Sequence, residues 1–257
     1  MQSGALVAGR FRIEREAGGG GMGTVYRAVD EQTGSYVALK TLRGDVPDGA
    51  ERFSREVSAL ARMSHPAIVK YVAHGDAPQF VAMEWLEGVD LAKLLREKKV
   101  LPIGEAIDLA ARIADAAEHA HALGIVHRDI KPSNIFFENG EPERARVVDF
   151  GLAWISGDVE FKSTVGVLLG TPSYMAPEQV RGEALDGRAD VFAIACLLYR
   201  CVAGRGPFTA DDAVATLAKV LFHEPEPASS LRPGVPRALD EVLARAMSKE
   251  RSKRPGS

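Results

Sequence analysis

The first 87 residues carry short apolar runs, rich in β-branched and aromatic residues, that are separated by turn-forming residues. Such runs are typical of strands. They cover Phe11–Ala17, Thr24–Asp30, Tyr36–Leu42, Ile68–Ala73 and Gln79–Trp85. Between the third and fourth runs, apolar residues recur at helical spacing within residues 50–63, which predicts one amphipathic helix. We therefore expect an antiparallel sheet with a single helix in this part of the chain.

From residue 88 onward the apolar positions take the wider spacing of helices. Long helices are predicted over Ile103–Leu123, Arg188–Val202, Ala213–Phe222 and Arg237–Met247. Two short β-prone runs, Ile135–Glu138 and Ala145–Val148, lie between the first two helices and precede a long loop. The pattern predicts an α+β chain with two lobes: residues 1–87 form a small antiparallel β-sheet lobe with one helix, and residues 88–257 form a larger, mainly helical lobe.

Composition and charge narrow the class of protein. The chain has 257 residues, a formal net charge of −3 and 46% hydrophobic residues, so nothing favours a nucleic-acid partner. Cys196 and Cys201 lie in an apolar run and form neither a disulfide framework nor a metal-binding motif. The dense apolar segment Val191–Tyr199 is far shorter than the ~20 residues that span a bilayer. We expect a cytoplasmic protein without membrane contact in this segment.

A glycine cluster between the first two predicted strands fits the pattern G-x-G-x-x-G. The pattern glycines are Gly18, Gly20 and Gly23, and glycine allows backbone N–H groups to approach phosphates closely. A dinucleotide-binding loop would continue as a helix, and a simple hairpin tip would need no ligand. Because Thr24 and Val25 begin a β-prone run, a strand is predicted here and the dinucleotide interpretation is disfavoured.

Lys40 ends the apolar run of the third strand. A buried ammonium is costly unless it is paired, so this position favours a nearby phosphate or carboxylate. Glu56, on the predicted helix that follows, is the candidate carboxylate. A lysine that extends from the strand end into solvent is the alternative.

A polar loop lies between the buried β-prone runs of the second lobe. The segment from His127 to Asn134 contains Asp129 and Lys131, and Asp149 follows the next apolar run. Carboxylate and amide oxygens are hard ligands, which suit Mg²⁺ beside phosphate oxygens and do not suit zinc. The loop is therefore the candidate site of the chemistry.

With these residues in place, the sequence resembles eukaryotic-type serine/threonine protein kinases, and its details are similar to those of the bacterial branch. The resemblance covers essentially the whole chain and rests on motifs that occur in the family's order. They are Gly18-x-Gly20-x-x-Gly23-x-Val25, Val37-Ala-Leu-Lys40, His127-Arg-Asp129 with Asn134, Asp149-Phe-Gly151, and Ala176-Pro-Glu178.

The resemblance implies an ATP- and Mg²⁺-dependent phosphoryl-transfer site. Lys40 would hold the α- and β-phosphates and pair with Glu56. Asp129 would orient the acceptor hydroxyl and accept its proton, while Lys131 would contact the γ-phosphoryl oxygens. Asn134 and Asp149 would bind Mg²⁺. His127, which could be mistaken for the general base, is a packing residue in this family.

The same resemblance places the adenine between the two lobes. Val25 and Ala38 would lie above it and Phe136 below it. Met83 would lie at the back of the pocket, and the backbone around Glu84 and Leu86 would meet the edge of the adenine. Asp90 occupies the position that often reaches the ribose.

The acceptor class and the regulation also follow from the resemblance. Lys131 with the following proline, and the Gly170-Thr171 segment, resemble kinases that act on serine or threonine; Thr171 would shape the acceptor site. Ser163 or Thr164 would be autophosphorylated and activate the enzyme in signal transduction. Protein substrates, and self-association for trans-autophosphorylation, are the implied partners.

Glu178 and Arg254 resemble a structural ion pair of the family, and the family's fold implies a final helix after Ser257. Two other classes of protein share parts of this sequence. A pseudokinase scaffold would usually lack one of Lys40, Asp129 or Asp149, all of which are present. A small-molecule phosphotransferase would not be expected to keep the Ala176-Pro-Glu178 segment.

Overall fold

A computed structural model describes residues 1–20, 23–42, 57, 60–150 and 172–256. Its N-terminal lobe is built on one antiparallel sheet of six strands in the order β1-β2-β3-β4-β6-β5. The strands are β1 Leu6–Val7, β2 Phe11–Gly20, β3 Gly23–Asp30, β4 Tyr36–Leu42, β5 Tyr71–Asp76 and β6 Gln79–Glu84.

The two faces of this sheet carry different sets of side chains. Alternate residues such as Tyr26, Leu39 and Ala82 point to one face and form a small hydrophobic core with Phe11 and Phe80. Residues that are paired across neighbouring strands share a face. Val25 is paired with Lys40, and Ala38 with Met83, so these four side chains lie together on the opposite face.

The C-terminal lobe is mainly helical. Its helices are α1 Leu91–Lys98, α2 Ile103–Ala122, α3 Pro177–Val180, α4 Arg188–Ala203, α5 Ala213–Phe222, α6 Ala228–Leu231 and α7 Arg237–Ala246. Helix α4 is central: twelve of its sixteen residues are buried, which explains the dense apolar run in the sequence. It ends at Gly204, whose left-handed conformation (φ of 80°) favours glycine. Among the described residues, no helix is both long and apolar enough to cross a membrane.

A second, three-stranded sheet lies where the two lobes meet. It consists of β7 Gly88–Asp90, β8 Ile135–Glu138 and β9 Ala145–Val147, with β8 in the middle. A parallel bridge joins Ile68 to Val147, and the backbone of Val147 exchanges hydrogen bonds of 2.7 and 3.0 Å with Ala67 and Val69. The segment that precedes β5 is therefore bonded directly to the C-terminal lobe.

The predicted fold class is confirmed, and two element boundaries need correction. The fourth strand was predicted over Ile68–Ala73, but β5 begins at Tyr71, because residues 67–69 bond to β9 and not to the six-stranded sheet. Most of the helix predicted within residues 50–63 lies outside the described residues. Val57 and Leu60 are helical and buried, and residues 61–62 already form a turn.

Candidate active site

Two predicted catalytic side chains and one predicted metal ligand meet in the loop between α2 and β8. Lys131 Nζ lies 2.8 Å from Asp129 Oδ2. Asn134 Nδ2 donates to the backbone oxygen of Asp129 at 2.8 Å and to Oδ2 at 3.1 Å. Asn134 belongs to a short 3₁₀ turn, Pro132–Asn134, in which the proline and the asparagine are both buried. The Asp129 carboxylate is thus held by two side chains of its own loop, at the edge of the cleft.

A buried carboxylate from α4 anchors this loop. Asp190 is fully buried, and its Oδ2 and Oδ1 accept the backbone N–H groups of His127 and Arg128 at 2.8 and 2.9 Å. His121 Nε2 on α2 lies 2.7 Å from Asp190 Oδ2. The two backbone bonds help to fix the unusual conformation of Arg128, whose φ is 69°. Sequence reasoning missed Asp190, although an acidic residue inside the most apolar helix signals a buried polar role.

His127 packs behind the catalytic loop, as predicted. The side chain is fully buried, and its Nε2 lies 3.0 Å from the backbone oxygen of Val148. Its ring lies 4.5 Å from that of Phe150, measured between centroids. A histidine enclosed in this way cannot reach a substrate hydroxyl, whereas the Asp129 side chain is partly exposed.

Lys40 provides the contact between the lobes inside the site. Lys40 is 5% exposed, and its Nζ lies 2.9 Å from Asp149 Oδ2. Asp149 follows β9 with a φ of 62°, a left-handed conformation that directs its side chain toward the sheet of the other lobe. The predicted partner Glu56 lies outside the described residues, so the pairing of Lys40 with Glu56 stays a prediction.

The oxygen atoms around Asp149 fit a hard cation. One oxygen of Asp149 contacts Lys40, and Asn134 uses its Nδ2 in the bonds to Asp129, so its Oδ1 is the amide atom that could coordinate a metal. Carboxylate and amide oxygens at the edge of a phosphate site suit Mg²⁺. The residues present therefore fit the metal that the sequence implies.

The residues predicted to surround the adenine divide between the two sheets. Val25, Ala38 and Met83 share the inner face of the six-stranded sheet, and Met83 is 8% exposed. Phe136 and Leu86 are half-buried, as side chains that line an open cleft are. Their contacts with the adenine stay predictions.

Asp90 has a structural role that sequence reasoning did not foresee. Its Oδ1 accepts the backbone N–H of Lys93 at 2.7 Å and caps the N-terminus of α1. Capping uses one carboxylate oxygen, and the predicted contact with the ribose would require the other.

The glycine cluster lies on strands, not at a helix start. Gly18 and Gly20 belong to β2 and Gly23 begins β3, with residues 21 and 22 outside the described part of the chain. Gly18 is paired with Val25 across the two strands. This hairpin excludes the strand-to-helix turn that a dinucleotide-binding loop would need.

The predicted ion pair between Glu178 and Arg254 is confirmed. Both residues are buried, and the guanidinium donates to the two carboxylate oxygens at 2.6 and 2.8 Å. Next to Glu178, the Gln179 side chain donates to the backbone oxygen of Arg128 at 2.8 Å. Helix α3 is thereby attached to the catalytic loop. The predicted regulatory and acceptor residues Ser163, Thr164 and Thr171 lie outside the described residues.

Comparison with known proteins identifies the family. Residues 11–257 match the family model described as "Protein kinase domain". The chain is 36% identical to serine/threonine-protein kinase pkn3 of Myxococcus xanthus, with 99% of this chain and 49% of that protein aligned. It is 37% identical to the DNA damage-responsive serine/threonine-protein kinase RqkA of Deinococcus radiodurans, over 100% of this chain and 39% of that protein. The chain thus spans half or less of the length of these curated relatives.

The fold also matches a solved structure. The kinase domain of PknI from Mycobacterium tuberculosis superposes with a TM-score of 0.78 at 31% identity, and the match covers 100% of this chain and 94% of that one. The two-lobed fold, the ordered motifs and the family match together lead to one conclusion: this chain belongs to the protein kinase family.

Proposed function

We propose that the chain transfers the γ-phosphoryl group of ATP to serine or threonine hydroxyls of protein substrates. Two contacts support the proposal: Lys40 lies against Asp149, and Asp129 is held by Lys131 and Asn134. Phosphoryl transfer needs groups that position the reactants and neutralise charge more than it needs a covalent partner. A set of two lysines, two carboxylates and an amide meets that need.

The proposed roles of these side chains are those that the family resemblance implies, and the contacts around them support these roles. Asp129 is the carboxylate that would accept the proton of the acceptor hydroxyl, and its contact with Lys131 keeps an ammonium close to the transferred group. Lys40 would stabilise negative charge on the α- and β-phosphates. Mg²⁺, when bound by Asn134 and Asp149, would neutralise the charge on the phosphates of ATP.

The two lobes would contribute different parts of the site. Residues 1–87 would supply the surface above the nucleotide, with Glu56 as the second partner of Lys40. Residues 88–257 would supply the catalytic loop and the substrate surface, with Thr171 at the acceptor site. Gly18, Gly20 and Gly23 would let the backbone approach the phosphates. The adenine would meet the backbone of Glu84 and Leu86.

Regulation is proposed on the same basis. Ser163 or Thr164 would be autophosphorylated between two copies of the chain that associate transiently, and the added phosphate would order its segment. The enzyme would act in signal transduction in the cytoplasm. Mass spectrometry of the active protein tests this directly: absence of phosphate between residues 152 and 175 would contradict it.

Phosphoryl transfer itself is tested with Asp129→Asn. Wild-type and variant proteins are incubated with Mg²⁺, radiolabelled ATP and a generic protein acceptor, and the phosphoamino acids are identified. We expect transfer to serine and threonine by the wild type and a loss of at least about 100-fold in the variant, because the proton acceptor is removed. Asp108→Asn, an exposed aspartate on α2, is the matched control. Undiminished transfer by Asp129→Asn would refute the assigned role, and a wild type without activity would favour a scaffold.

A further inference from the structure

An ion pair joins the two lobes at the point where the chain passes from one to the other. Glu84 is the last residue of β6, and Arg146 is the middle residue of β9. Arg146 Nη1 lies 2.9 Å from Glu84 Oε1, and the two side chains are 22% and 29% exposed. A half-buried pair of this kind is screened less by solvent than a pair on the open surface.

Each partner of this pair is also bonded within the region around it. Glu84 Oε1 accepts the backbone N–H of Lys70 at 2.7 Å. Arg146 donates to the backbone oxygen of Ile68 and to Glu138 Oε2, both at 3.4 Å. The guanidinium therefore connects the end of β6, the segment before β5 and the end of β8.

The pair lies beside the nucleotide cleft without entering it. Side chains alternate along a strand, so Glu84 points to the face opposite that of Met83, which faces the cleft. On the other side of the pair, the backbone of Arg146 is in register with that of Phe136. The two charged residues are thus immediate neighbours of Met83, expected at the back of the adenine pocket, and of Phe136, expected below the adenine.

We infer that Arg146 is a positioning residue that fixes the angle between the lobes and thereby the width of the nucleotide cleft. The inference rests on the proposed function, since a nucleotide held by both lobes is what makes the angle matter. Breaking the pair leaves each lobe intact and lets the upper and lower surfaces of the cleft move relative to each other. Nucleotide affinity then falls, because binding must fix that motion again.

The test compares Arg146→Ala with Arg144→Ala. Arg144 is a close neighbour that contacts the same Glu138, at 3.0 Å, but among the described residues its ion pairs lie within its own lobe. The dissociation constant for Mg²⁺–ADP is measured by calorimetry on the full chain. The KM for ATP and kcat are measured with a protein acceptor. We expect Arg146→Ala to raise the dissociation constant and the KM about fivefold with kcat within about twofold, and Arg144→Ala to change neither.

A double-mutant cycle isolates the pair. Glu84→Gln removes the charge but keeps an oxygen that can accept the Lys70 N–H, so it carries the same prediction if Arg146→Ala fails to fold. The two substitutions together should weaken nucleotide binding no more than either one alone. Arg146→Lys, which keeps a charge, should recover part of the affinity. Additive losses, or equal affinities for Arg146→Ala and Arg144→Ala, would overturn the inference.

Hydrogen exchange separates this inference from the proposed function. Without nucleotide, the amides of residues 84–90 should exchange faster in Arg146→Ala than in Arg144→Ala, because the angle between the lobes is no longer fixed. A wild type that binds nucleotide but transfers no phosphate would refute the proposed function and leave this comparison intact. Equal exchange in the two variants would refute the inference whatever the activity.

Discussion

The two halves of the site are held in place by different means. The catalytic loop is tied to α4 by Asp190, a fully buried carboxylate that accepts two backbone N–H groups. The glycine-bearing strands β2 and β3 are held mainly by their own ladder, and at Gly18 no atom of the described residues lies within 4 Å of where a Cβ would be. The loop expected to perform the chemistry is therefore anchored by a buried carboxylate, whereas the strands expected to cover the phosphates leave open space at Gly18.

Each lobe also contains an arginine that binds both oxygens of a carboxylate. Arg254 and Glu178 are both buried in the C-terminal lobe. Arg10 binds Asp30 in the N-terminal lobe at 2.8 and 2.7 Å, but the Arg10 side chain is 25% exposed. Burial decides how much unfolding free energy is lost when one partner is removed, because a charge left behind in a buried pair has no access to water.

The largest expected effect is therefore that of Arg254→Ala. The change leaves the Glu178 carboxylate buried and unpaired, and it removes bonds to the backbone oxygens of Ser248 and Arg188. We expect the free energy of unfolding, measured by urea denaturation, to fall by about 3–5 kcal/mol.

Arg10→Ala is the matched substitution in the other lobe. The unfolding free energy should fall clearly less than in Arg254→Ala, because water can reach the Asp30 carboxylate once the exposed arginine is gone. Equal losses for the two variants would mean that burial does not distinguish the pairs, and the contrast between the lobes would fail.

Asp190→Asn tests whether the anchor of the catalytic loop is also needed for the rate. An asparagine has one acceptor oxygen where the carboxylate has two, so one backbone N–H loses its bond and meets an NH₂ group. We expect a loss of about 1–3 kcal/mol in unfolding free energy. In steady-state assays kcat should fall while the KM for ATP stays within about twofold, since Asp190 acts through the loop that carries Asp129. A rise in KM with unchanged kcat would contradict this.

Most of the fold could be predicted from the sequence, because it depends on local patterns. Helix α5 was predicted residue for residue, and α2 and α4 to within one residue at either end. What local patterns do not show is which partner a buried group has. Ile68 and Val69 appeared to belong to a strand because they are apolar, yet Ala67 O and the Val69 N–H bond to Val147 of the distant strand β9.

The partners of the charged residues were harder to predict for the same reason. Lys40 was expected to need an anion, and in the structure that anion is Asp149, which lies far along the chain. Arg146 and Asp190 have no motif of their own, and their importance appears only when the sheets and helices bring Glu84 and the catalytic loop beside them. Asp90 has a role that a local rule could have given, since an aspartate directly before a helix is a common cap.

Acid sensitivity should be greater where an arginine lowers a carboxylate pKa. The hydrogen bonds from Arg10 lower the pKa of Asp30 to about 2, against the opposing effect of burial. Stability from this shift is present above the ordinary aspartate pKa and is lost as the pH falls toward the lowered value. Between about pH 5 and pH 3, wild type should lose about 1–2 kcal/mol more unfolding free energy than Asp30→Asn, which has no proton to bind there. Parallel losses, measured by urea denaturation at each pH, would show that the pair contributes nothing.

The smallest expected effect in stability comes from Gly18→Ala, and its direction is opposite to the others. The described residues leave open space at Gly18, so an added methyl group restricts the unfolded chain and should raise the unfolding free energy by about 0.5 kcal/mol. Gly75→Ala is the control, because its Cβ would lie 2.4 Å from the buried Phe80 ring and should destabilise the protein. If Gly18 serves phosphate binding, the more stable variant should nevertheless show a higher KM for ATP. A variant that gains stability with an unchanged KM would mean that Gly18 serves only the hairpin. Phosphate binding would then depend on Gly20 and Gly23.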